Sequence, residues 1–439
     1  MSRIVLSTWG SLGDLHPYLA LAVELARRGH RPVVATLKWW GDHVRGAGVE
    51  FAEAGPDIPA DQTEAREMVR RLLDEREGPE YLFTRVLGPR IRQSYDQLLA
   101  AVRAEGGADV LVSHQIPLTA PIVAAVSGVR WVSCVLQPMA LLSAFDPPTP
   151  PQAPALRRVA AAHPLIAKAI FVLARRMMRS WGAPAQRLRS ELGLPPAGEP
   201  VFEAQHSPAR VLALFSRMVA EKQPDYPPQT IVTGFPFYDA AEQKPPPPEL
   251  LRFLDAGPPP IVFTLGSSAV WIAGDFYATS IASARSLGAR ALLLAGESAP
   301  ALRDARLPEG IAAFDYAPHS LVMPRASVIV HQGGIGTTGQ ALRAGRPMLV
   351  VPYGQDQPDN ARRAVERGVG LTVSRKKYTR GTVEPVLGSL LTDSSYATRA
   401  SEVSAFVRAE QGTTTACDAI EGILERHLRT GKVRSSTEV

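Results

Sequence analysis

At 439 residues the chain exceeds one ordinary core and suits two α/β domains with a cleft between them, and 45% hydrophobic with 21% charged residues excludes disorder by composition. Forty-eight Lys and Arg against 42 Asp and Glu leave a formal charge of +6. That bias suits anionic substrates or an anionic membrane surface, but with no aromatic-interleaved basic stripe it excludes a nucleic-acid binder. Cys134 and Cys417 stand far apart, with no CxxC pair and no histidines at ligand spacing. Neither a disulfide framework nor a metal site is therefore expected, and a reducing cytoplasm is the expected location.

The opening MSRIVLSTWGSLGD runs straight into a strand without the basic and apolar regions of a signal peptide, so none is expected. Strand (Ile4 to Thr8), glycine turn (Gly10 to Gly13), helix (Pro17 to Arg28), a stop at Gly29 and strand (Pro32 to Leu37) make a βαβ opening. Apolar runs at Val110 to Ser113, Trp131 to Leu136 and Val211 to Phe215 continue a parallel sheet. Between them lies PLIAKAIFVLA, Pro164 to Ala174, about half of the roughly 20 apolar residues that span a bilayer. It is expected to pack as a helix inside the first domain. The alternative, suggested by Arg175, Arg176 and Arg179 behind it, is a peripheral membrane contact.

Proline density rises from Pro224 to Pro260, and the linker is placed there. A second alternation follows at Ile261 to Leu265, Ala291 to Ala295, Ile311 to Phe314, Ser327 to Val330 and Met348 to Val351. The expected fold is two doubly wound, Rossmann-like domains facing across a cleft: 1–225, a linker over 226–259, and 260–398. A closing helical segment over 399–428, broken near Gly412, is expected to pack back on the first domain.

The strongest chemical signal is Ser327 to Val330 followed by His331-Gln332-Gly333-Gly334-Ile335-Gly336-Thr337-Thr338: strand, glycine turn, then a helix starting near Thr337. Backbone amides and the helix dipole at such a turn favour a phosphate or diphosphate, and close backbone approach requires glycine. The same glycines could merely make a tight connection, with His331 satisfied in the core. At the carboxyl end of the next strand, Asp356 and Gln357 set a carboxylate beside an amide, suited to sugar hydroxyls.

The run HQGGIGTTGQALRAGRPMLVVPYGQDQPDNARR resembles the donor-binding signature of nucleotide-sugar glycosyltransferases of the two-domain GT-B fold, the UDP-glycosyltransferase superfamily. It is similar in particular to the bacterial rhamnosyltransferase of rhamnolipid synthesis and to sterol glucosyltransferases, and VTGFPFYD, ELLRFLDAGPPPIVFTLGSS and GDFYA upstream resemble the corresponding stretches of the rhamnosyltransferase. The resemblance implies a hexosyltransferase that acts on a nucleoside-diphosphate sugar. By motif position, His331 would contact the α-phosphate, Gly334, Gly336 and Thr337 the β-phosphate, and Asp356 and Gln357 the sugar. Ser267 would add a hydroxyl from the first strand of the second domain, and Gly13 would approach the donor from the first domain. Tyr316, followed by Ala317, would stack on the base unless it is a core aromatic. Where plant members carry an acid that binds the ribose, this chain has Gly339.

Acceptor deprotonation needs a base, expected at the turn after the first strand. Asp14 stands at the family's base position and is the first choice; helix capping is its bland role. His16 has the better intrinsic pKa but the wrong position. His114, after a later strand, stands where plant members keep an acid that orients the base. No D-x-D pair occurs, so no bound metal is expected and no cofactor beyond the donor as co-substrate; helix dipole, His331 and hydroxyls would carry the leaving charge. Inverting transfer is expected, with UDP-glucose ahead of dTDP-rhamnose as donor.

A hydrophobic acceptor such as a lipid, sterol, triterpenoid or polyketide would sit among Trp39-Trp40, Tyr81 to Phe83, Met139 to Phe145 and Pro164 to Trp181. Two other classes stay open. A noncatalytic nucleotide-sugar-binding module would keep the loop and lack the base. A dinucleotide oxidoreductase would need the full G-x-G-x-x-G that Gly10-Ser11-Leu12-Gly13 does not supply.

Overall fold

The computed structural model describes residues 1–239 and 246–435; residues 240–245, inside the expected linker, lie outside the described residues. Two parallel sheets carry the chain. The first has the order β3-β2-β1-β4-β5-β6-β7, built from β1 (Arg3–Ser7), β2 (Arg31–Thr36), β3 (Glu50–Glu53), β4 (Val110–His114), β5 (Arg130–Val135), β6 (Val211–Ala213) and β7 (Thr230–Val232). The second has the order β10-β9-β8-β11-β12-β13, from β8 (Ile261–Thr264), β9 (Ala291–Leu294), β10 (Ile311–Phe314), β11 (Val328–His331), β12 (Met348–Val350) and β13 (Gly370–Thr372). Every pairing is parallel, and β1, β4, β8, β9 and β11 are buried along their whole length. Strands covered by helices on both faces must be apolar on both, which is why they read as continuous runs. In each sheet the order reverses beside the first strand, which opens a crevice at the strands' carboxyl ends.

The helices that position the site are α1 (Leu12–Arg27), α2 (Gln62–Leu72), α3 (Leu156–Ala160), α4 (Pro164–Met177), α5 (Ile335–Ala344), α6 (Gln357–Glu366), α7 (Ser394–Ala409) and α8 (Gly412–Ser435). α7 buries Ala400, Val403 and Val407 in the core of the second sheet, whereas α8 buries Ala416, Cys417, Ile420 and Ile423 in the core of the first. The chain crosses back between them, where Gly412 lies against the Phe235 carbonyl so closely that a Cβ would come within 2.4 Å of its oxygen. Arg28, bonded to Asp418 and Glu421 at 2.6 Å each, pins α8 beside α1.

Several expectations need correction. α1 begins at Leu12 and not at Pro17, because Ser11 caps it: the Ser11 hydroxyl accepts from Gly13 N at 3.2 Å, and the Asp14 carboxylate accepts from Ser11 N at 2.8 Å. The helix then runs through Pro17, whose missing N–H forfeits one early backbone bond. The expected linker contains β7 and a helix, Pro248–Asp255. β7, an edge strand of three residues, carries too few apolar residues to stand out among the prolines around it.

α4 does not pack inside the first domain. Of its residues only Ala167 is buried, and Leu165, Ile166, Val172, Leu173 and Met177 are exposed. No helix among the described residues is long and apolar enough to cross a membrane.

Candidate active site

Two helix N-termini meet across the cleft. β11 ends at His331, Gly333 turns the chain at φ +91°, and Gly334 in extended conformation starts α5 two residues earlier than expected. No side chain caps α5, so its first-turn amides, Gly334 to Thr337, are left to a ligand or solvent. Only glycine fits at 333, since a Cβ would lie 2.7 Å from Val350 Cγ1. Opposite stands the first turn of α1, and a Cβ on Gly336 would come 3.7 Å from Gly13 Cα. Both dipoles bring positive potential to the same gap.

Asp14 is partly exposed at that gap. Its Oδ2 closes the Ser11 capping box, and its Oδ1 lies 3.9 Å from Nε2 of the wholly buried His114. Burial lowers the His114 pKa, with the Asp14 carboxylate opposing, so the imidazole is neutral at physiological pH. His16 lies further along α1, its ring 5.4 Å from that of Tyr238. Burial first, then His319 and His43, push its pKa down to about 4, which removes the advantage a histidine base would have had.

His331 differs from expectation. It is fully buried, its Nδ1 accepts from Gly333 N at 3.1 Å, and its Nε2 faces Met348 Sδ at 3.5 Å. Burial drives its pKa down to about 3, with His319 adding to the fall. Without a bound anion the ring is neutral, and it braces the glycine turn through Nδ1. Thr338 likewise donates its hydroxyl to Gly334 O at 3.0 Å, whereas Thr337 Oγ1 has only Gln332 Nε2 near it, at 3.4 Å. Ser267 sits just past β8, in the short helix Gly266–Ala269, and not on the strand. Tyr316, after β10, is 49% exposed beside buried Ala317, so the core-aromatic role does not hold.

The residues expected to hold the sugar stand at the first turn of α6. Burial pushes the Asp356 pKa up to about 7; the Asn360 hydrogen bond opposes this and the Asp14 charge adds to it. Gln357 Oε1 accepts from Tyr353 N at 2.8 Å and Gly354 N at 3.3 Å, so only its amide nitrogen is left for a sugar. Asn360, which sequence reasoning missed, donates to Asp356 Oδ2 at 2.6 Å and to Gly333 O at 2.9 Å and so ties the two loops together. Its i+4 spacing from Asp356 was the available signal.

First-domain segments clamp this turn from two sides. Gln355 Nε2 bonds the Leu72 carbonyl at the end of α2. Further along α6, Asp359 accepts from Thr149 N at 2.9 Å and from Arg363 at 2.8 Å, and Arg363 reaches Asp146 at 2.6 Å. An apolar cavity beside the end of β1 is walled by Trp9, Phe83, Leu87, Leu118 and Trp181. Phe83 and Trp181 were expected there. Trp39 instead lies exposed, and the Trp40 indole donates to Gly10 O at 2.9 Å.

Residues 292–420 match the family model of the erythromycin biosynthesis protein CIII-like C-terminal domain. The chain is 33% identical over 429 residues to O-mycaminosyltylonolide 6-deoxyallosyltransferase of Streptomyces fradiae, covering 95% of this chain and 97% of that one. It is 28% identical to a sterol 3-beta-glucosyltransferase of Neosartorya fischeri over 99% of its own length, but it spans only 30% of that protein. The spinosyn rhamnosyltransferase SpnG, solved with thymidine diphosphate, superposes with a TM-score of 0.65 at 17% identity, covering 96% of this chain and 100% of that one. With a relative of that identity matched along nearly its whole length, the chain belongs to the GT-B glycosyltransferases related to the macrolide and sterol enzymes, which transfer a sugar from a nucleotide to a small-molecule acceptor.

Proposed function

We propose that this protein transfers a 6-deoxy sugar from a thymidine diphosphate donor to a hydroxyl of a hydrophobic, polyketide-like acceptor, with inversion at the anomeric carbon. The observation that carries the chemistry is the facing of two helix N-termini, with the uncapped amides of Gly334 to Thr337 on one side and Asp14 on the other. The amides take the diphosphate. Asp14 takes the acceptor's hydroxyl proton while the new C–O bond forms at the anomeric carbon and the bond to the β-phosphate oxygen breaks. His114, neutral and buried behind Asp14, positions the carboxylate. Asp356 and the Gln357 amide nitrogen hold the sugar, and Tyr316 lies under the base.

Gly339 bears on the donor's nucleoside. A Cβ there would meet the Phe235 ring at 3.0 Å, so the helix face that carries a ribose-binding acid in plant members is closed. A 2′-deoxyribose asks less of that face, which supports thymidine over uridine. The Streptomyces fradiae relative is named for a 6-deoxy sugar and a macrolide, and SpnG was solved with thymidine diphosphate. UDP-glucose, the first expectation from sequence, draws support from the sterol relatives. The first domain serves the acceptor and the second serves the donor; the cavity walled by Phe83 and Trp181, about 20 Å³, is too small to take the whole acceptor and lies behind its site.

A donor panel read by mass spectrometry tests the assignment. Turnover with thymidine diphosphate deoxysugars, and a product anomeric coupling that shows inversion, are expected. Preference for UDP-glucose sinks the donor assignment, and retention sinks direct displacement. Nucleotide binding without turnover across a broad acceptor panel would restore the noncatalytic module.

A further inference from the structure

We propose that α3 and α4 form a docking face for an anionic lipid bilayer. From residue 147 to residue 190 the chain has no Asp or Glu and eight Lys and Arg. α4 occupies the middle of this stretch and rests on a small satellite core made by Ala144, Ala160 and Ala167 with Ile170 and Phe171. Its other face is also apolar: Leu165, Ile166, Val172, Leu173 and Met177 are between 41% and 73% exposed, and Val159 on α3 extends the patch. A helix apolar all round is normally covered by something.

Charge selects the occupant. Arg175 pairs with Glu203 at 2.8 Å, the exposed Arg179 lies 3.5 Å from Glu199, and Arg157 pairs with Glu366. Arg158, Lys168 and Arg176 are exposed and have no carboxylate partner among the described residues. At 100° per residue Arg176 falls within the arc of Leu165, Val172 and Leu173, and Lys168 at its edge. The core of a protein interface is depleted of charge and would need a fixed carboxylate opposite Arg176. The acids beside this face, Glu199, Glu203 and Glu366, already have arginine partners, so a second copy would set Arg158, Lys168 and Arg176 against like charges. Mobile anionic headgroups meet scattered cations wherever they stand, while the aliphatic stems of Lys and Arg lie along the apolar surface.

Fourteen residues of helix, about 21 Å, are too short to span a bilayer but suffice to lie in its interface. The segment then leads to Trp181, whose ring stacks on Phe83 in the wall of the apolar cavity.

The test is co-sedimentation of the full chain with vesicles of equal parts phosphatidylglycerol and phosphatidylcholine, against phosphatidylcholine alone. Binding to the mixed vesicles that weakens with salt is expected. The variant Leu165→Asn, Val172→Asn, Leu173→Asn should lose it. Lys168→Gln with Arg176→Gln should weaken it roughly 25-fold, about fivefold for each cation removed. All these positions are exposed, so melting temperature and thymidine diphosphate affinity should stay at the native values and report that the variants fold. The proposal is overturned if the native chain ignores the mixed vesicles, or if the triple variant binds them as well as the native chain does. It is also overturned if light scattering shows the face serving self-association in place of vesicle binding.

Discussion

Asp14 Oδ1 and His114 Nε2 lie 3.9 Å apart at the carboxyl ends of neighbouring strands β1 and β4, the carboxylate facing the cleft and the imidazole wholly buried behind it. The order is carboxylate in front and imidazole behind, with burial keeping the imidazole neutral. Asp14 also holds the Ser11 cap, so its position is fixed by the helix it begins.

Asp14→Asn keeps an acceptor for the capping bonds and removes the proposed base. It should lower kcat by roughly 10²- to 10⁴-fold and leave thymidine diphosphate affinity within about twofold. His114→Ala, which acts through Asp14, should cost about tenfold in kcat with the acceptor KM held. His16→Ala should stay within a few-fold of native, because a histidine with a pKa of about 4 offers no better base than a carboxylate. Steady-state kinetics with calorimetric titration separates these, and loss of turnover in His16→Ala alone would move the base.

The raised Asp356 pKa makes donor handling and stability pH-dependent near neutrality. Folding lifts this carboxyl from its ordinary value to about 7, so between about pH 4 and 7 the native state binds more protons there than the unfolded chain does. Its contribution is fully present at low pH and is lost as pH rises through 7. The melting temperature of the native protein relative to Asp356→Asn should therefore fall over that window and level off above it. Because the Asp14 charge helps to raise the value, Asp14→Asn should move the fall to lower pH. Paired thermal melts across the range check both.

Gly339 packs against Phe235, and a methyl there would enter the ring's contact distance at 3.0 Å. Gly339→Ala should destabilise the fold by about 1–3 kcal/mol, the usual range for overpacking. Removing the ring makes room: Gly339→Glu with Phe235→Ala should recover folding relative to Gly339→Glu alone. It should also shift the ratio of uridine to thymidine donor kcat/KM upward by roughly tenfold, through a new acceptor for ribose hydroxyls. An unchanged ratio in a well-folded double variant would remove the deoxyribose argument.

Much of this was legible in the sequence because it is local. Buried parallel strands announce themselves as apolar runs, and the glycine turn after β11 is visible because only glycine fits at 333. Other features depend on groups that the fold brings together. His331 reads as a phosphate contact, and only the fold shows its Nδ1 accepting from the Gly333 amide with Met348 Sδ beside its Nε2. Gln357 reads as offering both ends of its amide until Tyr353 and Gly354 take the oxygen and leave the nitrogen. Edge strand β3 is half-exposed, and β7 is three residues among prolines, so neither has a pattern to read.

The pairing of Asp146 with α6 was invisible for the same reason, and it makes the strongest stability prediction. Asp359 and Arg363 are nearly excluded from solvent, and Arg362 and Asp146 complete the network at 3.0 Å from Asp359 and 2.6 Å from Arg363. Burial alone would raise the Asp359 pKa, but Arg363 and Arg362 outweigh it and hold the value below the ordinary range. Asp359→Ala leaves a buried guanidinium short of a partner and the Thr149 amide without its acceptor. It should cost about 3–5 kcal/mol in urea denaturation. Asp359→Leu with Arg363→Met removes both charges together and should recover most of that loss, since the isolated charge and not the missing attraction sets the penalty. The two variants differ in function as well. α6 begins at the sugar site, so a loosened clamp should raise the donor KM in Asp359→Ala more than in the double variant. Equal loss of stability in the two would show that the missing attraction, and not the isolated charge, sets the penalty.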